Sequence, residues 1–255
     1  MFSEMHSDSQ RADRILASIR REESRPGRGL LKIFFGMAPG VGKTYAMLEA
    51  AIQAADKGVQ VMIGVAESHG REDTMRLISR LPRLPMKKVA YRGVQMEEFD
   101  LEEVLRVKPQ LILVDELAHT NVPGMRHRKR YQDVEDLLAA GIDVYTTLNV
   151  QHLESRSDTV HDITAAPVQE TVPDSVLAEA DCIQLVDITP EQLRTRLQEG
   201  KVYSAPQASA ALDHFFKESN LTALRELALR IMAEKVDHEL TEVRTISGDR
   251  SIWRS

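Results

Sequence analysis

The chain has 255 residues, of which 42% are hydrophobic and 28% are charged, and these values are typical of one or two globular domains. A formal net charge of −6 argues against a general nucleic-acid-binding protein, because such proteins usually carry a basic excess. The single cysteine, Cys182, excludes an intrachain disulfide and a cysteine-rich metal site. Apolar runs are short and none follows Met1, so we expect a cytoplasmic protein without a secretory signal or direct membrane insertion.

Residues 1–30 differ from the rest of the chain, because a polar segment with a thin apolar stripe leads into Pro26 and Gly27. This pattern predicts an N-terminal helical extension followed by a hinge. From Leu31 onward, short apolar runs alternate with amphipathic segments. The runs predict strands at residues 31–35, 59–65, 111–114, 142–150 and 182–188, and a weaker strand at 88–91. The amphipathic segments predict helices at residues 44–56, 72–81, 97–107, 131–140 and 220–243.

The alternation of strands and helices predicts an α/β fold with a mostly parallel sheet, since parallel strands need crossover helices that cover both faces. We therefore expect three layers over residues 31–218. Residues 219–255 are predicted to form a long C-terminal amphipathic helix and a frayed tail.

A glycine-rich loop follows the first strand of this pattern. We define it as Gly36–Thr44; it joins a strand to a helix that opens with Gly-Lys-Thr, as in a phosphate-binding P-loop. In such a loop, backbone N–H groups surround phosphate oxygens, Lys43 reaches the β- and γ-phosphates, and the Thr44 hydroxyl binds Mg²⁺. One position departs from the consensus, because Met37 stands where the first glycine is expected. The loop predicts a P-loop NTPase-like nucleotide-binding domain whose contacts to the nucleotide are Gly36, Pro39, Gly40, Val41, Gly42, Lys43, Thr44 and Tyr45.

An acidic pair, Asp115 and Glu116, follows the apolar strand at residues 111–114. Ligands of open α/β sheets bind at the carboxyl ends of the strands, where this pair is expected to lie. Asp115 is predicted to hold Mg²⁺ together with Thr44, in the role of a Walker-B aspartate. Glu116 is the candidate catalytic residue for activating a water molecule, and Glu67, at the end of the second strand, is the alternative.

Two further polar segments follow predicted strands. Residues 146–152 place Asn149 or Thr147 where related ATPases have a polar sensor of the γ-phosphate. We call residues 119–130 the basic loop; it directly follows the acidic pair and is either a mobile switch that meets the γ-phosphate or a partner, or a solvated loop.

Five sequence segments together resemble the N-terminal cytoplasmic domain of the KdpD family of potassium- and turgor-responsive sensor histidine kinases. They begin at Lys32, Val114, Arg130, Gly141 and Leu224, and the resemblance covers most of residues 11–237. It implies a domain that binds ATP with Mg²⁺ and modulates the kinase/phosphatase balance of a longer receptor.

The resemblance also sets expectations for partners and activity. The partners it implies are other cytoplasmic domains of the sensor kinase and a second copy of the chain. Residues typical of a kinase core are missing from this sequence, so we expect an excised piece or a free-standing relative without kinase activity. Two interpretations of the site stay open: a regulatory ATP-binding module, or a slow ATPase. A GTPase is less favoured because no Asn-Lys-x-Asp motif occurs.

Overall fold

The structure, a computed structural model, describes residues 27–202, 211–212 and 214–247. Its strands, in chain order, are β1 (Leu31–Gly36), β2 (Val61–Val65), β3 (Lys87–Tyr91), β4 (Val94–Glu98), β5 (Leu111–Val114), β6 (Asp143–Asn149) and β7 (Cys182–Leu185). Five of them form a parallel sheet in the order β2–β5–β6–β1–β7. The predicted α/β fold with a mostly parallel sheet is confirmed.

Helices connect the strands of this sheet. The α-helices with fully described bounds are α1 (Lys43–Asp56), α2 (Glu72–Ile78), α3 (Leu101–Val107), α4 (Arg130–Ala139), α5 (Ser157–Thr164), α6 (Asp174–Ala178), α7 (Pro190–Gln198) and α8 (Glu218–Ser247). Two short 3₁₀ turns, Val150–His152 and Glu154–Arg156, follow β6.

Two apolar cores lie on the two faces of the sheet, because side chains alternate along each strand. On one face Phe34 packs with Met47 and Leu48 of α1. On the other face Ile33 and Phe35 belong to a larger core that α3, α4 and α8 complete. Helices thus cover the sheet on both sides, and this arrangement gives the three layers expected from the sequence.

The C-terminal helix α8 is confirmed and is longer than predicted, since it spans Glu218–Ser247. Its first half is amphipathic, and Leu221 and Leu224 are fully buried in the larger core. Farther along, Val236 and Leu240 are each 48% exposed, which indicates that the helix leaves the surface of the core. No helix within the described residues is long and apolar enough to cross a membrane.

The region between β2 and β5 differs from the prediction. The weak strand at residues 88–91 is real, but it belongs to a separate antiparallel hairpin of β3 and β4. The predicted helix at 97–107 is wrong at its start, because Glu97 and Glu98 pair with Lys88 and Lys87 in the hairpin. The helix α3 begins only after Asp100, whose side chain caps it. The short helices α5 and α6 were not expected, and the predicted N-terminal helical extension lies outside the described residues, apart from the end of its hinge.

Candidate functional site

The carboxyl ends of β1, β5 and β6 meet at one edge of the sheet around a cavity of about 550 Å³. Its lining combines cationic, anionic and amide side chains that are far apart in the sequence. Among the predicted site residues, those in the lining are Pro39, Gly40, Gly42, Lys43, Thr44, Asp115, Glu116, Thr147 and Asn149. The topology therefore brings most of the predicted residues together, at the edge where open parallel sheets bind ligands.

The glycine-rich loop takes a backbone path that needs glycine. Gly40 and Gly42 have φ angles of +87° and +105°, in the left-handed region that side chains disfavour. At Gly36, a Cβ atom would lie 2.8 Å from the Val41 side chain and 3.1 Å from the Val186 carbonyl oxygen. Met37, at the position where the consensus has glycine, is instead buried in the larger core. The close packing that the first glycine of the consensus permits is thus found at Gly36, one position earlier in the chain.

Lys43 begins helix α1 and is 8% exposed. Its ammonium group donates a hydrogen bond of 3.0 Å to the Ala38 carbonyl, so the side chain folds back along the loop. Burial lowers the pKa of Lys43 to about 8, although the negative charge of Asp115 acts in the opposite direction. A cation withdrawn from water in this way is a strong site for an anion.

Asp115 is the most tightly held carboxylate of the site and is 1% exposed. Its Oδ2 atom accepts hydrogen bonds from the Thr44 hydroxyl at 3.0 Å and from the Glu67 backbone N–H at 3.2 Å. Its Oδ1 atom accepts from the Thr147 hydroxyl and from the Glu116 backbone N–H. The carboxylate thereby joins the glycine-rich loop to the ends of β2, β5 and β6, and its position is fixed.

Glu116 lies in a different environment from its neighbour. Its φ angle is +57°, an uncommon left-handed conformation for a residue with a side chain, and its side chain is 48% exposed. Partial burial in the cavity raises the pKa of Glu116, and the adjacent Asp115 raises it further, while Arg130 and His69 partly offset both effects. The His69 Nε2 atom is 3.7 Å from the Glu116 carboxylate.

The strand-end residues of β6 also reach the cavity. Thr147 and Asn149 both line it, and the Asn149 Oδ1 atom is buried without a hydrogen-bond partner among the described residues. Four predicted residues are not in the described lining: Gly36, Val41, Tyr45 and Glu67. Tyr45 is 37% exposed, and Glu67 contributes its backbone N–H to Asp115 instead of a carboxylate to the cavity.

Other residues of the lining had no assigned role in the sequence. Arg71 lies in the lining at the start of α2, in the polar segment that follows β2. His152 also lines the cavity, and its Nδ1 atom is 2.8 Å from the Glu170 carbonyl oxygen. Burial lowers the pKa of His152, and the nearby Lys43 lowers it further. Glu170 stands in an irregular segment, where no sequence pattern could have identified it.

The basic loop closes on itself at its base. Thr120 and Lys129 form an antiparallel bridge, and the Lys129 ammonium donates to the Thr120 hydroxyl at 2.8 Å. The Asn121 backbone N–H donates to the Arg128 carbonyl, and the Thr120 N–H donates to the Glu170 carboxylate at 2.7 Å. The loop is therefore a structured element beside the cavity, and its role as a switch stays a hypothesis.

Comparison with known proteins identifies relatives along most of the chain. The family model described as "KdpD: Osmosensitive K+ channel His kinase sensor domain" matches residues 27–236. Sensor protein KdpD of Escherichia coli is 51% identical over 243 residues, which cover 95% of this chain and 27% of the relative. Sensor protein KdpD of Clostridium acetobutylicum is 50% identical over 238 residues, which cover 93% of this chain and 26% of the relative.

A putative sensor protein KdpD of Synechocystis is 53% identical over 210 residues, which cover 82% of this chain and 57% of the relative. The chain thus spans about a quarter of the length of the Escherichia and Clostridium relatives, at 27% and 26%. The match to the family model and the identity to these relatives extend across the sheet, the glycine-rich loop and most of α8. The chain therefore belongs to the KdpD family of osmosensitive K⁺ channel histidine kinase sensor domains.

Proposed function

We propose that this domain binds ATP together with Mg²⁺ in the cavity at the sheet edge. One observation carries the proposal: Lys43, Thr44 and Asp115 converge there, with the Thr44 hydroxyl 3.0 Å from the Asp115 carboxylate. A Ser or Thr hydroxyl and an acidic residue at the end of a neighbouring strand are the protein groups that hold Mg²⁺ in P-loop NTPases. The positive end of the α1 helix dipole lies at the same place and favours a phosphate group.

The residues present fit both groups. Thr44 and Asp115 offer the oxygen ligands that Mg²⁺ prefers, and four hydrogen bonds hold the Asp115 carboxylate in one orientation. Lys43 and the backbone N–H groups of the glycine-rich loop would hold the phosphates. The ion, when bound, would neutralise charge on the β- and γ-phosphates. Thr147 and Asn149 stand at the cavity wall as candidate contacts to the terminal phosphate.

Nucleotide occupancy serves, in this proposal, as a regulatory input to a longer sensor kinase. Membership of a family of sensor domains supports this role, as does the match to only about a quarter of two relatives, at 27% and 26%. The domain would then act in the cytoplasm and modulate the kinase/phosphatase balance of a receptor that responds to potassium or turgor. Its partners would be the other cytoplasmic domains of that receptor or a second copy of the chain.

A slow ATPase is the second candidate function. Glu116 favours it, because its half-exposed carboxylate lies in the cavity beside Asp115 and its raised pKa suits a group that accepts a proton from water. Glu67 is the weaker candidate for this role, because its side chain is not in the described lining.

Calorimetric titration with ATP and Mg²⁺ tests the proposal. We expect saturable binding that Lys43→Ala abolishes and that Lys57→Ala, a change of an exposed lysine at the opposite end of α1, leaves intact. Parallel titration with GTP determines the base preference, which phosphate contacts do not establish. Absence of binding by the unmodified chain contradicts the proposal.

Phosphate release separates the two candidate functions. Steady-state release that Glu116→Gln abolishes, with ATP affinity unchanged, establishes the ATPase. Binding without release by the unmodified chain establishes a regulatory module and rejects the ATPase.

A further inference from the structure

Glu98 is a buried carboxylate outside the predicted site. It is the last residue of β4, in the hairpin that stands apart from the main sheet, and it is 2% exposed. A carboxylate withdrawn from water this completely destabilises the fold unless hydrogen bonds and an opposite charge compensate it. Its partners therefore indicate what the residue holds in place.

Three groups of the basic loop surround Glu98. The Val122 backbone N–H donates to its Oε1 atom at 3.0 Å, and the His119 Nε2 atom lies 3.1 and 3.2 Å from its two oxygens. The Arg130 guanidinium is 3.6 Å from its Oε2 atom. Burial alone would raise the pKa of Glu98, but His119, the Val122 N–H and Arg130 outweigh burial and lower it, so the carboxylate is ionised at neutral pH.

Arg130 extends this contact to the cavity. It is 3% exposed and begins helix α4, and its Nη1 atom donates a hydrogen bond of 3.0 Å to the backbone carbonyl of Asp115. Its backbone N–H donates to the His119 carbonyl at 3.1 Å. Glu98 thus holds both ends of the basic loop and, through Arg130, the main chain of Asp115.

We propose that Glu98 is a positioning residue for the Mg²⁺–nucleotide site: it keeps the Arg130 guanidinium on the backbone carbonyl of Asp115 and away from the carboxylates of the cavity. The inference rests on the proposed function, because it assigns to Glu98 the role of keeping the Asp115 side chain available as a metal ligand. The inference depends both on the negative charge of Glu98 and on the position of its carboxylate.

The surroundings of Arg130 explain why the negative charge of Glu98 is needed to hold the guanidinium in place. After Glu98, the anionic groups with the largest influence on Arg130 are Glu116 and Asp115, and both belong to the cavity. A neutral side chain at position 98 leaves a buried guanidinium without its first counter-charge. Arg130 is then attracted to the Asp115 carboxylate and competes there with Mg²⁺. A neutral side chain at position 98 therefore weakens the binding of Mg²⁺ more than the contacts to the nucleotide itself.

The test is the Mg²⁺ dependence of ATP affinity in Glu98→Gln, measured by calorimetry at several free Mg²⁺ concentrations. We expect the Mg²⁺ concentration for half-maximal affinity to rise about tenfold, as for the loss of one charge-assisted interaction, while affinity at saturating Mg²⁺ approaches that of the unmodified chain. The matched control is Glu97→Gln, an exposed glutamate next to it on β4, for which we expect no change.

Two outcomes overturn the inference: no shift in the Mg²⁺ requirement, or an equal loss of affinity at every Mg²⁺ concentration, which would indicate a purely structural role. If Glu98→Gln does not fold, Glu98→Asp keeps the charge on a shorter side chain, and we expect a smaller shift in the same direction. Binding by the unmodified chain together with an unshifted Glu98→Gln rejects this inference alone. Failure of the unmodified chain to bind ATP rejects the proposed function and this inference with it.

Discussion

The two loops that border the cavity are held in place by different forces. The glycine-rich loop takes its shape from backbone conformation, with positive φ angles at Gly40 and Gly42. The basic loop is held by buried charges, with Glu98 between its two ends and Arg130 against the main chain of Asp115, directly after β5. The first loop is therefore sensitive to an added Cβ atom and the second to a removed charge. Four substitutions test this difference.

Arg130→Met is expected to have the largest effect on stability. It leaves Glu98 buried with His119 and the Val122 N–H but without its strong cation, and the cost of breaking such a pair is about 3 kcal/mol. Urea unfolding followed by circular dichroism measures this loss. The control is Arg128→Met, an exposed residue of the same loop, which should change stability by less than about 0.5 kcal/mol. Equal effects of the two changes would reject the view that buried charge holds the loop.

Lys43→Met is expected to stabilise the fold while it abolishes nucleotide binding. An unfolded lysine keeps its proton up to its ordinary pKa of 10.5, whereas burial lowers the folded value to about 8, so at pH 7 the folded state bears the cost of a buried charge. Removing it should raise the free energy of unfolding by about 1–2 kcal/mol, since the loss of the hydrogen bond from Lys43 to the Ala38 carbonyl offsets part of the gain. Lys57→Met, on the exposed helix end, should leave stability unchanged in the same urea titration.

Gly42→Ala and Gly58→Ala separate backbone strain from ligand contact. Both glycines have positive φ, +105° and +90°, and an added Cβ atom would meet no atom closer than 3.7 Å at the first and none within 4 Å at the second. Each change should therefore cost about 1 kcal/mol of stability through strain alone. Only Gly42→Ala should weaken Mg-ATP binding by more than about tenfold, because only that backbone is expected to contact phosphate. Unchanged binding by Gly42→Ala would contradict the proposed contact.

The smallest expected effect is the contribution of His152 to acid sensitivity. Burial, Lys43 and Lys129 lower its pKa below the ordinary 6.5, against the opposing effect of the Glu170 carbonyl. As pH falls through 6.5, the unfolded chain takes up a proton that the folded chain resists, so the free energy of unfolding decreases. This decrease in the free energy of unfolding between pH 7 and 5.5 should be absent from His152→Gln and present in His161→Gln, a change of an exposed histidine. An undiminished pH dependence in His152→Gln would contradict the assignment.

The sequence predicted the parts of the site that depend on local pattern. Lys43 and Thr44 follow a strand and a glycine turn, and Asp115 follows an apolar run, so their places at the sheet edge could be anticipated. Glu98 and Glu170 could not, because their contacts depend on how distant segments pack. The acidic stretch around Glu98 even favoured a helix, and cross-strand pairing with Lys87 overruled that local preference. Strand order, with β6 between β1 and β5, is likewise a property of the assembled sheet.

Helix α8 is attached to the domain at least as far as Lys235, whose ammonium donates a hydrogen bond to the Ala178 carbonyl, and Val236 and Leu240 beyond it are half exposed. It spans 30 residues, or about 45 Å at 1.5 Å per residue. Its anchored part packs against the 3₁₀ turn Val150–His152, which directly follows Asn149 at the cavity wall. The part of the helix between Lys235 and Ser247 is about 18 Å long, so a tilt of about 5° at Lys235 moves its end by roughly 1.5 Å. A small tilt of α8 on the core is therefore a displacement of more than an ångström at its far end.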